Sequence, residues 1–262
     1  MTRRGWLKLA AGSALAAYPA YFEPRWFELT EKRVPVAGLQ APFRVLHLSD
    51  LHYGFRVPMS LIHRALDLGL ATKPDIICLT GDYVTNNWTD HPLQLIEPLK
   101  RLSTAAPTFA VLGNHDVDPV GEILIAGGAR LLDNASAAVE VRGQKLAIVG
   151  LGDLWSNGIM LGAAFEHCPI GVPRIVLCHN PDSKDYLREA VFDLMLSGHT
   201  HGGQVVLPIL GPRAWSVRDQ TMLSGLHRWR GHWVHVTRGV GCLWGVRFNC
   251  RPEVSVLNLE PA

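Results

Sequence analysis

The sequence predicts an α/β fold, because short apolar runs alternate with amphipathic helical patterns along most of its 262 residues. Six apolar runs typical of buried strands occur at positions 43–48, 76–79, 108–112, 146–149, 174–178 and 194–196. Hydrophobic residues make up 48% of the chain and charged residues 18%, which is typical of a globular protein. Strands that alternate with helices in this way indicate βαβ units and largely parallel pairing.

Three helices are predicted between these runs. The first covers positions 60–72, with Ser60 as its N-cap and an apolar face at Leu61, Ile62, Ala65, Leu66 and Gly69. The second covers positions 92–102 and contains Pro98, which we expect to kink or break it. The third begins at Pro181 or Asp182, and either Asp182 or Ser183 could cap it.

Beyond Gly203 the pattern changes to shorter strand-like stretches at positions 204–207, 233–237 and 254–259. We expect these to be added strands of one domain that covers residues 21–262, with weak structure only around positions 157–171. The segment 205–215 is apolar and interrupted by prolines. We expect a buried edge strand that ends at Pro208, followed by a packed loop. The alternative is an exposed apolar lip formed by Ile209, Leu210 and Trp215, which would contact an acyl chain or a membrane.

Residues 1–20 have a different composition. Arg3 and Arg4 precede a modest apolar stretch, Leu9 to Ala17, in a pattern that resembles a bacterial twin-arginine export signal. The stretch is shorter than the ~20 residues that span a bilayer. The segment therefore predicts export to the periplasm or to the outer face of the cytoplasmic membrane. The alternative is a short N-terminal arm on a cytoplasmic, peripheral membrane protein.

Charge and cysteine usage exclude two further classes. The formal net charge is +2 and no basic stripe occurs, so we expect no nucleic-acid-binding surface. The five cysteines lack paired metal-site spacing, and only Cys242 and Cys250 could pair late in the chain. We therefore predict no disulfide framework.

Polar side chains follow the predicted strands where each strand ends. These are Asp50, His52, Asp82, Asn114, His115, Asp116, His179, His199 and His201. Since ligands of open α/β sheets bind at the carboxyl ends of strands, we expect these residues to lie at one edge. Asp50 and His52 are two positions apart, as are His199 and His201, so each pair projects to one side of locally extended chain.

The donor set points to a metal centre. Two carboxylates, one amide oxygen and four imidazoles favour Mn, Fe, Zn, Ni or Co over Mg or Ca. Seven ligands exceed the needs of one tetrahedral ion but suit two ions that share a bridging carboxylate, for which Asp82 is the candidate. Two divalent ions beside two carboxylates leave positive charge, which favours a phosphoryl group as substrate.

The ordered motifs Asp50-x-His52, Gly81-Asp82, Gly113-Asn114-His115-Asp116, His179 and Gly198-His199-x-His201 resemble those of the calcineurin-like metallophosphoesterases. Other segments, such as Thr237-Arg238-Gly239-Val240-Gly241, resemble sequences of the bacterial YaeI/YkuE-like branch. The resemblance covers nearly the whole chain. It implies a four-layer α/β/β/α sandwich with two mainly mixed sheets.

The resemblance also implies roles for individual residues. Asp50, His52 and His201 would hold one metal ion, Asn114, His179 and His199 the other, and Asp82 would bridge them. The ions would be divalent transition metals such as Mn²⁺, Fe²⁺/³⁺ or Zn²⁺. The implied reaction is phosphodiester hydrolysis by a metal-bridging hydroxide. His115 would stabilise the transition state or protonate the leaving oxygen, and Asp116 would hold its ring.

Two alternatives to this function stay open. One is a pyrophosphatase that acts on a nucleotide-linked lipid of the UDP-2,3-diacylglucosamine type, which would place the activity in the cytoplasm. The other is a non-catalytic metal-binding scaffold. Asp153 is interpreted as a structural turn residue, and Arg56 and Arg238 are left out of the site. Structural or surface roles are expected for His47, His63, His91, His167, His227, His232 and His235.

Overall fold

The computed structural model describes residue 2 and residues 17–85, 91–156 and 158–262. Most of the predicted export signal, and Asn157 at the start of the weakly structured segment, lie outside these residues. The described strands are β1 (Glu28–Val36), β2 (Phe43–Leu48), β3 (Ile76–Thr80), β4 (Thr108–Val111), β5 (Arg130–Leu131), β6 (Ala135–Val141), β7 (Gln144–Gly150), β8 (Arg174–Leu177), β9 (Leu194–Ser197), β10 (Gly225–Trp229), β11 (His232–Val236) and β12 (Glu253–Pro261). The α-helices are α1 (Met59–Leu70), α2 (Ile96–Ala105), α3 (Val120–Ala126) and α4 (Leu161–Glu166). Within the described ranges, no helix combines the length and the apolar character needed to cross a bilayer.

The strands form two mixed six-stranded sheets. The first has the order β1-β12-β2-β3-β4-β5, and the second has the order β10-β11-β9-β8-β7-β6. Strands β2 to β5 are parallel, as are β7, β8, β9 and β11, while β12 is antiparallel to β2, β6 to β7 and β10 to β11. The parallel strands therefore direct their carboxyl ends to a common edge in each sheet.

Alternating side chains create the layers. In β3, Ile76 and Cys78 belong to the core shared with the second sheet, whereas Ile77 and Leu79 pack in the core with α1, α2 and α3. The outer face of the second sheet packs Val149, Val176 and Met195 against residues that include Ala164 of α4. The predicted four-layer α/β/β/α arrangement is confirmed.

Strand β1 lies outside the six apolar runs and was not predicted. Its first six residues are mostly polar or charged, and only Val34 and Val36 near its end are buried. It forms the edge of the first sheet beside β12, where polar side chains suit a strand with one unpaired side. Its partner strand begins at Glu253, which is in register with Glu28 and 225 positions further along, so no local pattern identifies the pair.

Three details of the predicted helices are wrong. Helix α1 begins at Met59 after the extended Pro58, so Ser60 lies inside the first turn and is not the N-cap. Pro98 does not break its helix, because α2 begins at Ile96 and Pro98 occupies the first turn, where its missing N–H has no helical partner. The third helix is a 3₁₀ segment, Pro181–Tyr186, capped by the side chain of Asn180.

The segment after Gly203 also differs from the prediction. Positions 204–207 form isolated bridges, Val205 with Phe248 and Leu207 with Gly211, and no regular strand. Ile209, Leu210 and Trp215 are exposed, so the expected buried strand and packed loop are wrong and the lip alternative describes their positions. The segment 158–171, expected to be weakly structured, contains the short helix α4.

Candidate metal centre

The side chains predicted to act together converge at one edge where the two sheets meet. Asp50 and His52 follow β2, Asp82 follows β3, Asn114 follows β4, His179 follows β8, and His199 and His201 follow β9. Two groups of three could each hold a metal ion: Asp50, His52 and His201, and Asp82, His179 and His199. Within each group, one donor atom from every residue lies within 4.8 Å of the others.

Asp82 lies between the two groups. Its Oδ2 is 3.2 Å from His179 Nε2 and 3.5 Å from His52 Nε2, so one oxygen faces a ring from each group. Its Oδ1 accepts the backbone N–H of His115 at 2.9 Å. This position is the one that a bridging carboxylate needs.

The donor atoms fit a cation. His52 Nε2 and His201 Nε2 are 3.1 Å apart, and so are His179 Nε2 and His199 Nδ1. In each pair a proton or a metal ion must separate the two nitrogen lone pairs. Asn114 lines the same cavity, and its Oδ1 is buried without a hydrogen-bond donor, which leaves the oxygen available as a ligand.

Hydrogen bonds on the opposite side of the rings fix their orientation. His179 Nδ1–H donates to the Thr80 carbonyl at 2.7 Å, and His199 Nε2–H donates to the Ser216 carbonyl at 3.2 Å. The remaining nitrogen of each neutral ring is then free to bind a metal. Thr85 Oγ1 lies 2.8 Å from His52 Nδ1 and serves the same purpose. Sequence patterns gave no signal for Ser216 or Thr85, because neither belongs to a metal motif.

The backbone at this edge is strained. Asp50, His52, Asp82, His199 and His201 all have positive φ values, between 46° and 68°. Residues with a side chain rarely adopt this conformation, and such residues cluster at functional sites. Five of the seven predicted ligands therefore depend on the surrounding structure to hold their loops.

Burial and neighbouring charges shift the pKa values of the site residues. Burial lowers the pKa of His52 to about 4 and that of His199 to about 3, and it lowers the pKa of His201 well below its usual value. Against the effect of burial, His179 lowers the pKa of Asp82, and Asp82 raises the pKa of His179 to about 10. Neutral imidazoles and ionised carboxylates are the forms that bind metal ions, so the shifts at His52, Asp82, His199 and His201 favour coordination. The shift at His179 opposes it, because a metal must displace a proton there. Burial also raises the pKa of Asp50 to about 6, which opposes ionisation of that carboxylate.

The role expected for Asp116 is wrong. Its Oδ2 accepts the backbone N–H groups of Asp82 and Gly113 at 2.7 and 2.8 Å, and its Oδ1 accepts that of Tyr83 at 2.8 Å. His115 Nδ1 is buried without a partner, so Asp116 does not hold that ring. Asp116 is a positioning residue that ties the loop of the bridging carboxylate to the loop after β4.

His115 lies beside the centre. Its ring is edge-on to that of His52, with the centroids 5.3 Å apart. It lines a cavity of about 300 Å³ together with Asp82, Asn114, His199 and His201. It can therefore reach a group bound in that cavity.

Aromatic side chains form much of the remaining cavity wall. Trp155 packs edge-on against His199, with a ring centroid distance of 4.7 Å, and Trp215, Trp244 and Leu243 complete this apolar wall. Trp155, Trp244 and Leu243 were not predicted to lie at the site, whereas the lip alternative placed Trp215 beside the metals. Only the metal motifs identified site residues from the local sequence, whereas the wall residues are brought to the cavity by the tertiary fold.

The residues that were predicted not to belong to the site lie outside the two ligand groups. Asp153 Oδ2 accepts the N–H of Ser156 at 2.9 Å, as a turn residue does. Arg238 pairs with Glu28 at 2.9 Å and with Glu253 at 3.1 Å. Arg56 lines a neighbouring cavity.

Buried residues that the sequence did not single out support the centre. Arg247 is fully buried and donates to the carbonyls of Arg238 and Gly241 at 2.7 and 2.6 Å. It therefore holds the loop that packs on Asp50, since a Cβ on Gly239 would lie 2.7 Å from Asp50 Cβ.

Comparison with known proteins agrees with this geometry. Residues 43–203 match the family model described as calcineurin-like phosphoesterase. The chain is 40% identical to phosphodiesterase YaeI of Escherichia coli (strain K12), over 99% of both chains. It is 28% identical to the uncharacterized metallophosphoesterase YkuE of Bacillus subtilis (strain 168), over 99% of this chain and 98% of that one.

Two further similarities are more distant. The chain is 25% identical to UDP-2,3-diacylglucosamine pyrophosphatase LpxG of Chlamydia trachomatis, over 82% of both chains. The structure of Haemophilus influenzae NAD nucleotidase (NadN) superposes with a TM-score of 0.51 at 13% identity, covering 76% of this chain and 46% of that one, which supports the fold alone. The family match and the full-length similarity to YaeI together show that the chain belongs to the calcineurin-like phosphoesterases, a family of metal-dependent phosphoester hydrolases, on the branch that includes YaeI and YkuE.

Proposed function

We propose that the protein hydrolyses a phosphodiester at a centre of two divalent transition-metal ions. Asp50, His52 and His201 would bind one ion, and Asn114, His179 and His199 the other. The observation that carries the proposal is the position of Asp82, whose Oδ2 lies 3.5 Å from a ring of one group and 3.2 Å from a ring of the other.

When bound, two such ions activate a water molecule for attack and neutralise charge on the phosphoryl oxygens. The protein supplies the remaining parts of the site. Trp155 and Trp244 form an apolar part of the cavity wall. His115, whose ring lies beside His52, can donate a proton to the leaving oxygen or stabilise charge on the phosphoryl group.

Turnover of bis(p-nitrophenyl) phosphate with added Mn²⁺ tests the proposal. Asp82→Asn should abolish turnover and reduce metal content, because it removes the shared charge. Asp67→Asn is the matched control, since that carboxylate lies on α1 in an exposed pair with Arg101. A metal-loaded protein inert to all phosphoesters would favour the non-catalytic scaffold instead.

The second candidate is pyrophosphate hydrolysis in a nucleotide-linked lipid. It is favoured by the similarity to LpxG and by the apolar wall of Trp215, Trp244 and Leu243 beside the metal groups. The comparison to make is kcat/KM for UDP-2,3-diacylglucosamine against that for bis(p-nitrophenyl) phosphate. A higher value for the lipid in wild-type protein, lost in Asp82→Asn, would support this candidate.

We also propose export by the twin-arginine route, on the basis of Arg3, Arg4 and the apolar stretch that follows. A reporter fused after residue 30 should be active outside the cytoplasm. The double change Arg3→Lys with Arg4→Lys should keep it inside. Equal export of both fusions would contradict the proposal, and cytoplasmic retention of both would favour the nucleotide-linked substrate.

A further inference from the structure

Three loops around the metal cavity expose an unusual number of large apolar side chains. Phe55 is 90% exposed, Trp215 99% and Trp244 67%, and Ile209 has the full exposure of an extended peptide. We call this surface the rim and define it by Phe55, Val205, Ile209, Leu210, Trp215 and Trp244.

The rim is continuous around the cavity. Val205, Trp215 and Trp244 line the metal cavity itself, while Phe55 lines the next cavity, and Leu243 borders both. Arg56 lies against the loop of Trp244, because a Cβ on Gly245 would come within 3.0 Å of its Cδ. Contiguous apolar surface of this kind marks an interaction site more often than it marks the ordinary surface of a soluble protein.

The tip of the rim is held outward by strained backbone. Leu207 and Gly211 form an antiparallel bridge, and Ile209 lies at the turn between them with a φ of 77°. A β-branched residue in this conformation costs free energy, and here its side chain has no burial to offset the cost. Exposure of Ile209 and Leu210 is therefore built into the loop.

The charges of the rim loops have one sign. Segments 54–57, 205–216 and 241–249 contain arginines and no aspartate or glutamate. Arg213 lines the metal cavity and Arg56 lies beside Phe55, whereas Arg247 is buried. Exposed aromatic residues with arginines and no acids match the interfacial layer of an anionic bilayer, which attracts such cations.

The described chain also enters the fold on this side. The Pro19 carbonyl accepts the N–H of Arg247 at 2.8 Å, and the Tyr18 ring packs on Phe248, which is bridged to Val205 of the rim. The residues that precede Tyr18 include the apolar stretch from Leu9 to Ala17. The contacts of Tyr18 and Pro19 therefore lie next to the rim.

We propose that the rim docks on the surface of an anionic lipid bilayer. Phe55, Leu210 and Trp215 enter the interfacial layer, and Arg56 and Arg213 contact lipid phosphates. In this orientation the metal cavity opens toward the headgroups. The proposal does not rest on the proposed catalytic function, since docking requires neither metal ions nor turnover.

Co-sedimentation of the full chain with vesicles tests the proposal. Wild-type protein should bind vesicles of phosphatidylethanolamine and phosphatidylglycerol more tightly than vesicles of phosphatidylcholine alone. The double variant Ile209→Ser with Leu210→Ser should bind the anionic vesicles about tenfold or more weakly, because two apolar side chains no longer leave water. Its melting temperature and its turnover of bis(p-nitrophenyl) phosphate should not change, since both side chains are exposed and neither lines the cavity.

The matched control is Ile170→Ser with Val191→Ser. These side chains are 90% and 70% exposed and line a separate cavity, away from the rim loops. The control should bind vesicles like the wild type, and because both double variants keep the N-terminal segment, the comparison isolates the rim. Equal binding by both double variants would overturn the proposal, as would absence of vesicle binding by the wild type. Sedimentation velocity adds a further outcome: wild-type dimers dissociated by the Ile209 and Leu210 changes, without vesicle binding, would assign the rim to a second copy of the chain.

Discussion

Gly113→Ala should disable the metal centre by adding a single methyl group. An ideal Cβ at this position would lie 2.3 Å from Asp82 Oδ1 and 2.6 Å from Asp82 N, far inside van der Waals contact. Gly113 has no positive φ, so alanine brings no backbone strain of its own. The effect should therefore fall on Asp82, on both its backbone and the carboxylate proposed to bridge the two ions.

The size of the effect follows from the distances. Asp82 Oδ1 must move by about 1 Å to restore ordinary contact, whereas metal and catalytic groups must be held within about 0.5 Å of their working positions. Displacement by about 1 Å costs on the order of 100-fold in activity. We expect kcat/KM for bis(p-nitrophenyl) phosphate to fall by that factor, together with a lower metal content.

The assay compares purified variants after dialysis against Mn²⁺, with metal analysis, turnover and thermal unfolding on each. Gly162→Ala is the control, because a Cβ there meets nothing within 4 Å and lies in α4. It should leave metal content unchanged and should not destabilise the fold, since alanine favours helix by up to about 1 kcal/mol over glycine. Full metal loading and normal turnover in Gly113→Ala would refute the assignment of Asp82 as the bridge.

Three further changes test other parts of the site. His115→Ala should keep its metal ions while kcat falls ~10²- to 10⁴-fold. If the ring donates a proton, the loss should be smaller for p-nitrophenyl esters than for alkyl esters, and steady-state kinetics on both esters measures the difference. Thr85→Val removes the hydroxyl 2.8 Å from His52 Nδ1 and should weaken metal binding about 10- to 100-fold in a chelator competition titration. Although burial opposes it, His235 and Arg238 lower the pKa of Glu253 to about 2. The ionised Glu253 should therefore contribute about 3 kcal/mol to the free energy of unfolding, and this contribution should be complete above pH ~4.5 and lost as the pH falls toward 2. Denaturant unfolding of Glu253→Gln at pH 7 should show this loss, and a pH-independent difference from wild type would contradict it.

The sequence predicted those parts of the site that depend on strand ends. Asp50, Asp82 and His179 each follow a short, largely apolar run, and parallel pairing directs the ends of such runs to one edge. Their convergence was therefore predictable without coordinates. The role of Asp116 was not, because an acid next to a histidine in sequence need not face it, and here its carboxylate turns to the backbone of Tyr83 instead.

Elements whose structure depends on residues distant in sequence were not predicted. Strand β1 is polar over most of its length, and it is defined by its pairing with β12. The segment around Ile209 looked like a buried strand because it is apolar, but its bridge from Leu207 to Gly211 closes a turn too short to bury it. Arg247 gave no signal, since its partners are carbonyl groups contributed by the chain fold.

The position of β12 between β1 and β2 has a consequence for how the chain folds. During synthesis the first two strands emerge more than 200 residues before the strand that joins them, so this sheet cannot close until β12 has been made. Glu253, at the start of β12, also donates its backbone N–H to Gly239, which packs on Asp50. The loop of the first predicted ligand therefore acquires its support only after β12 has docked, and we expect metal binding to follow synthesis of the whole sheet rather than to guide it.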